Sequence, residues 1–144
     1  MDKDENKAEE IYRNINDITE ENIRLVKYAL NSKKKIFLAS LVNKIYYIVY
    51  QKMKYTLLSK NGNKNERYNH GRIVQILVTQ IPENTDLCKK LLLVNGLYSK
   101  RVKADYWAGL SDGECLTLSI ETIKKDFELV LEVGKLLDQE VANG

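Results

Sequence analysis

Proline occurs once in the 144 residues and glycine seven times, so little in the chain interrupts a regular backbone. That scarcity argues against a turn-rich β architecture and in favour of helices. Cysteine occurs twice, at Cys88 and Cys115, far apart and without metal-ligand spacing, and His70 is the single histidine. A structural zinc site is therefore not expected, and neither is any cofactor; the two thiols read as free in a reducing compartment. No apolar run approaches the roughly 18 residues that a spanning helix needs. The first ten residues are charged and lack the apolar centre of a signal peptide. We therefore expect a cytoplasmic protein without a membrane partner. Charge of one sign is also scarce. The 23 basic and 20 acidic side chains leave +3, too small a surplus to indicate nucleic acid by itself.

What is present is an ordinary globular composition, 44% hydrophobic and 30% charged, read most simply as one domain over 1–144. Apolar residues recur at helical spacing from Glu5 to about Asn31, through Ile11, Ile15, Ile18 and Val26. A polar interval at Thr19–Asn22 leaves two readings, one long helix or a second one capped by Thr19; we prefer the first. The lysines at 33, 34 and 35 read as a solvated helix end. A second helix runs from Ile36 to about Ser59, with Leu41, Val42, Ile45, Val49, Met53 and Leu57 as its stripe and Tyr46, Tyr47, Tyr50 and Tyr55 superposed on it. Tyrosines so placed read first as core residues whose hydroxyls reach a polar partner, and second as a base-stacking platform. The polar stretch Lys60–Asn69 is a loop carrying Lys64 and Arg67. Asn69 can cap the short helix that follows His70 and Gly71 and ends at Pro82. Thr85 or Asp86 starts the next helix, over Leu87–Trp107, with Leu91, Leu92, Val94, Leu97 and Tyr98 buried. Ser111-Asp112-Gly113-Glu114 fits a capping box ahead of a final helix from Leu116 to Val141. The expected fold is all-α, a five-helix up-and-down antiparallel bundle with the third helix as a crossover.

The stretch with the most chemistry is Leu97–Trp107. On a helix, Tyr98, Arg101 and Asp105 share one face at spacings of three and four, with Asn95 continuing it. Arg before Asp is the weaker order for an exposed ion pair, so surface stabilisation explains the pair poorly. A guanidinium, a carboxylate and a phenol on a partly apolar face are costly to bury unpaired. Two readings stand side by side: a structural ion pair against the core, or a functional site.

The order Val42-Asn-Lys-Ile-Tyr-Tyr-Ile-Val-Tyr50, then Asn69-His70-Gly71, then Leu97-Tyr-Ser-Lys-Arg-Val-Lys-Ala-Asp-Tyr106, then an amphipathic closing helix, resembles the HEPN family, the higher eukaryote and prokaryote nucleotide-binding domain. The resemblance is to small stand-alone prokaryotic members and spans about Lys33 to Leu137. It implies a helical bundle that dimerises, with RNA or a nucleotide as ligand and a nucleotidyltransferase or antitoxin as partner, in a toxin–antitoxin or antiviral setting. Many members are metal-independent endoribonucleases, with an arginine stabilising phosphorane charge and a histidine handling the proton of the 2′-hydroxyl. The catalytic candidates implied here are Arg101, Asp105, Tyr106 and His70. Lys44, Tyr46, Tyr47, Tyr50 and Lys103 are the nucleic-acid or nucleotide contacts, with Lys100 and the 33–35 lysines able to track a backbone.

The sequence departs from the family's catalytic Arg-x4–6-His pattern. Tyr106 stands where that histidine would be, Arg67 is too close to His70, and Lys44 replaces the arginine usual before the tyrosine pair. A phenol with pKa near 10 is a poor base at neutral pH. Any ribonuclease activity is thus expected to be of a non-standard kind. The alternative is a non-catalytic helical module that dimerises or binds a partner, its Arg101–Asp105–Tyr46 network serving the fold.

Overall fold

The computed structural model describes residues 3–32, 38–61, 69–105 and 120–143, with side chains described over 9–31, 40–61, 69–102 and 120–143. Within them are five helices and no strand: α1 (Lys3–Ser32), α2 (Leu38–Lys60), α3 (Ile73–Val78), α4 (Asp86–Asp105) and α5 (Ile120–Asn143). The fold is an all-α helical bundle.

α2 packs against each of the other four helices, and its sequence explains why. Leu41, Val42, Ile45, Tyr46, Ile48, Val49, Tyr50, Met53, Leu57 and Leu58 are all buried, so the helix is apolar almost all round. The aliphatic stripe and the tyrosine stripe that overlap in the sequence are two buried faces of this one central element. Buried Thr56 does not disturb it, because its hydroxyl donates to the Lys52 carbonyl at 2.9 Å.

Directions follow from the contacts. Tyr12 meets Tyr55, so α1 runs back along α2. Lys90 pairs with Glu132 and Lys100 with Asp126, which makes α4 and α5 antiparallel. Lys52 pairs with Asp138 and Lys60 with Glu140, so α2 and α5 run in the same sense. That alternation is the one an up-and-down chain order produces, with α3 as the crossover.

α1 is one helix, and Thr19 does not interrupt it. The Thr19 hydroxyl donates to the Ile15 carbonyl at 2.7 Å and is buried there. α3 is shorter than its sequence suggests and stops at Val78, before Pro82. Asn69 does not cap it. Its Oδ1 accepts from the Gly71 N–H at 2.7 Å in a turn one step upstream, and Arg72 is the cap residue without a side-chain bond. Asn84, at φ 65°, turns the chain in the left-handed region that asparagine tolerates. Thr85 then caps α4, its Oγ1 accepting from the Cys88 N–H at 3.2 Å.

α4 buries Leu87, Leu91, Val94 and Leu97, whereas Leu92 is 56% exposed, contrary to its expected burial. Its side chain falls outside the stripe set by the spacing of four, three and three. Ile18, expected within the stripe of α1, is likewise exposed. α5 buries Ile123, Phe127, Val130, Val133 and Leu137. The capping box at 111–114, Cys115 and the lysines at 33–35 lie outside the described residues, as do Lys64 and Arg67. Cys88 is a free thiol. No helix among the described residues is long and apolar enough to cross a membrane.

Candidate functional site

α2, the turn ahead of α3 and the last turns of α4 meet at one cluster. α2 contributes Tyr46, Tyr47 and Tyr50, whose spacings of one, three and four put them on one broad face. The Asn69 turn delivers His70 to that face. Its ring stacks on Tyr50 with centroids 3.9 Å apart, and Tyr46 Oη lies 2.8 Å from His70 Nδ1. From α4, Tyr98 lies parallel to the imidazole at 6.2 Å. One helical turn further on, Arg101 sets its guanidinium 5.6 Å from the ring centroids of Tyr46, Tyr47 and Tyr98 alike. Its Nη1 donates to Tyr47 Oη at 3.2 Å.

The structure therefore brings Arg101 and His70, well separated in the chain, into one constellation with the tyrosines of α2. One link differs from the sequence reading. Among the described residues the hydroxyl that accepts from Arg101 is that of Tyr47, and the Tyr46 hydroxyl bonds to His70. Tyr46 and Tyr50 do not form a base-stacking platform. Tyr46 is 1% exposed and Tyr50 8%, with their ring faces taken by each other, by His70 and by Tyr98. Nor does the gap between His70 and Tyr98 admit a base, since an inserted ring needs about 7–8 Å. Tyr47, half-buried, is the tyrosine of α2 left at the margin of the cluster.

Lys44 is half-buried on α2 one turn before Tyr47. Lys100 is engaged with Asp126 at 2.9 Å and is not simply available to a backbone phosphate. Asn95 is exposed. The side chains of Lys103 and Asp105, and the whole of Tyr106, lie outside the described residues.

Lys54 is the residue that the sequence reading missed. Its charge acts on His70 together with that of Arg101. The available signal was its position four residues after Tyr50, on the face that stacks on the imidazole. Burial pushes the His70 imidazole below its ordinary pKa of 6.5, and the Arg101 and Lys54 charges push the same way. Burial raises the Tyr46 phenol well above its ordinary 10, against the opposing pull of Arg101, and raises that of Tyr50, with Tyr47 adding to it. Burial thus favours the neutral forms of His70, Tyr46 and Tyr50 beside the permanent charge of Arg101. Among the described residues no group of histidine, cysteine or acidic side chains could hold a metal ion. A separate groove of about 380 Å³, lined by Ser59, Lys60, Gln80, Glu140 and Val141, already has its charges paired across Lys60 and Glu140 at 2.9 Å.

The depressed imidazole pKa makes stability depend on pH. As pH falls the unfolded chain takes up the proton first, near its ordinary value of about 6.5, while folded His70 is still neutral. The contribution is complete above that value and is lost progressively below it, until the folded state's own lower pKa is passed. Urea denaturation at about pH 8 and about pH 5 should show wild type losing more stability on acidification than His70→Asn. Equal losses would mean that His70 is not held neutral.

Comparison of the chain with protein-family models, with curated proteins and with solved structures finds no match in any of the three. The functional reading therefore rests on the sequence motifs and on this geometry.

Proposed function

We propose that this chain is a HEPN-like protein that binds RNA or a nucleotide through phosphate. In this reading it works in the cytoplasm of a toxin–antitoxin or antiviral system, as a homodimer and with a nucleotidyltransferase or antitoxin partner. The observation that carries the reading is the meeting of Arg101 and His70 around a shared set of tyrosine rings. Fixed positive charge next to a neutral hydrogen-bonding imidazole suits a phosphate oxygen, and arginine suits it best through its planar, permanently charged fork. Exposed Leu92 and Leu93, on the helix that carries Arg101, offer a surface for the second copy.

A second reading is favoured by the embedding of Arg101 against three rings and the Tyr47 hydroxyl. In it the constellation is a packing device of a non-catalytic module that binds a partner chain. Incubating the pure protein with total RNA, with and without a divalent-ion chelator, separates the two. The phosphate-binding reading expects RNA to be retained at low salt whether or not chelator is present, with retention falling as salt rises. Any cleavage should survive chelation. Absence of RNA retention at low salt leaves the packing reading.

A further inference from the structure

We infer that Tyr46 locks His70 as the neutral Nε2–H tautomer, which makes His70 a hydrogen-bond donor to an anionic phosphate oxygen and not a base that deprotonates a hydroxyl. This deepens the phosphate-binding reading and rests on it for the identity of the ligand, though the tautomer itself does not.

The geometry leaves one economical proton arrangement. Tyr46 is 1% exposed, and among the described residues the only hydrogen-bond partner of its hydroxyl is His70 Nδ1, at 2.8 Å. A buried hydroxyl hydrogen needs an acceptor, and Nδ1 is the one within reach. If Nδ1 carried the hydrogen, it would donate to Tyr46 Oη and the phenol hydrogen would have no acceptor among the described residues. In a neutral imidazole one nitrogen donates and the other accepts, so a proton received at Nδ1 places the ring hydrogen on Nε2. An imidazolium would carry hydrogens on both nitrogens, so Nδ1 could only donate to Tyr46 Oη and the phenol hydrogen would again lack an acceptor among the described residues.

The rings around the imidazole are Tyr46, Tyr47 and Tyr50 from α2 and Tyr98 from α4, and the charges of Arg101 on α4 and Lys54 on α2 act on it. The two cations among them oppose a third positive charge. The ring is also fixed in orientation. Stacking on Tyr50 at 3.9 Å and the edge contact with Tyr47 at 5.8 Å resist the flip that would exchange the two nitrogens. Nε2 makes no hydrogen bond among the described residues, so its hydrogen is the one available to a ligand. A donor that shares its tyrosine rings with a guanidinium complements a phosphate oxygen, which only accepts. Tyr46 is thus a positioning residue. It acts on the ligand through the imidazole and does not touch it.

Because His70 is the only histidine, a histidine-15N-labelled sample of the full chain gives one imidazole spin system. Recorded at about pH 8, above the ordinary histidine pKa, the wild type should show an unprotonated, pyridine-type Nδ1 and a protonated, pyrrole-type Nε2. Tyr46→Phe keeps the ring and removes the hydroxyl, and should shift both nitrogens toward the average of the two tautomers. A protonated Nδ1 in the wild type, or nitrogen shifts unchanged in Tyr46→Phe, overturns the inference. The spectrum is recorded without ligand, so a failure of RNA binding would sink the phosphate-binding reading and leave the tautomer standing.

Discussion

Replacing Tyr46 with alanine is expected to destabilise the protein by about 3–5 kcal/mol, the range for removing a large aromatic side chain from a packed core. For a chain of this length that corresponds to a fall in Tm on the order of 10 °C. Tyr46 stands where α2, the turn ahead of α3 and α4 meet. Its ring has Tyr47, Tyr50, Tyr98 and His70 around it at centroid distances of 5.6–6.0 Å, and Arg101 at 5.6 Å. Alanine would leave a void that these groups can fill only by abandoning their mutual geometry, because α2 is held from every side. Tyr46→Phe should lose about 1 kcal/mol, the worth of an ordinary hydrogen bond. Differential scanning fluorimetry followed by urea titration distinguishes the two. A loss below about 1 kcal/mol for Tyr46→Ala would show that the ring is not part of the core.

The bundle was legible in the sequence because periodicity reports burial directly when a helix has one buried face. α5 illustrates this: Ile123, Phe127, Val130 and Leu137 are both its apolar stripe and its buried side. α2 illustrates the complication. A helix surrounded by partners shows two overlapping stripes, and only the packed structure separates its aliphatic faces from its tyrosine face. Leu92 is exposed because a run of three leucines cannot all face inward, and the sequence does not say which will be left out. The start of α3 differs from its sequence expectation because no side chain caps it. Asn69 has the right chemistry, but its amide satisfies the Gly71 N–H in a local turn before the helix begins. For the site, helical spacing put Tyr98 with Arg101, and tyrosine spacing put Tyr46 with Tyr50. Their joining through His70 is a tertiary event that no local pattern encodes. Which hydroxyl takes Arg101 and which takes the imidazole depends on side-chain directions of neighbours one residue apart, and spacing is silent about that.

Replacing Arg101 with alanine separates the two readings of the site. If its guanidinium meets a phosphate, RNA affinity at physiological salt should fall at least tenfold, or about 1.4 kcal/mol. The loss should be similar across RNA sequences, because a phosphate contact carries no base information. The slope of log affinity against log salt should become shallower by about 0.7, the value for one phosphate on a single strand. The same change removes one cation, shared among three rings, and one hydrogen bond to Tyr47, together worth about 1–2 kcal/mol, so a stability loss of that size accompanies it. Arg101→Lys sharpens the comparison. It keeps the charge and loses the plane that lies among the rings, so the salt slope should be nearly restored while the stability loss persists. Isotherms at several salt concentrations, alongside denaturation of each variant, measure both quantities. A stability loss of about 3–5 kcal/mol with the salt slope unchanged in both variants would instead assign Arg101 to the fold, as expected for a buried interaction broken from one side.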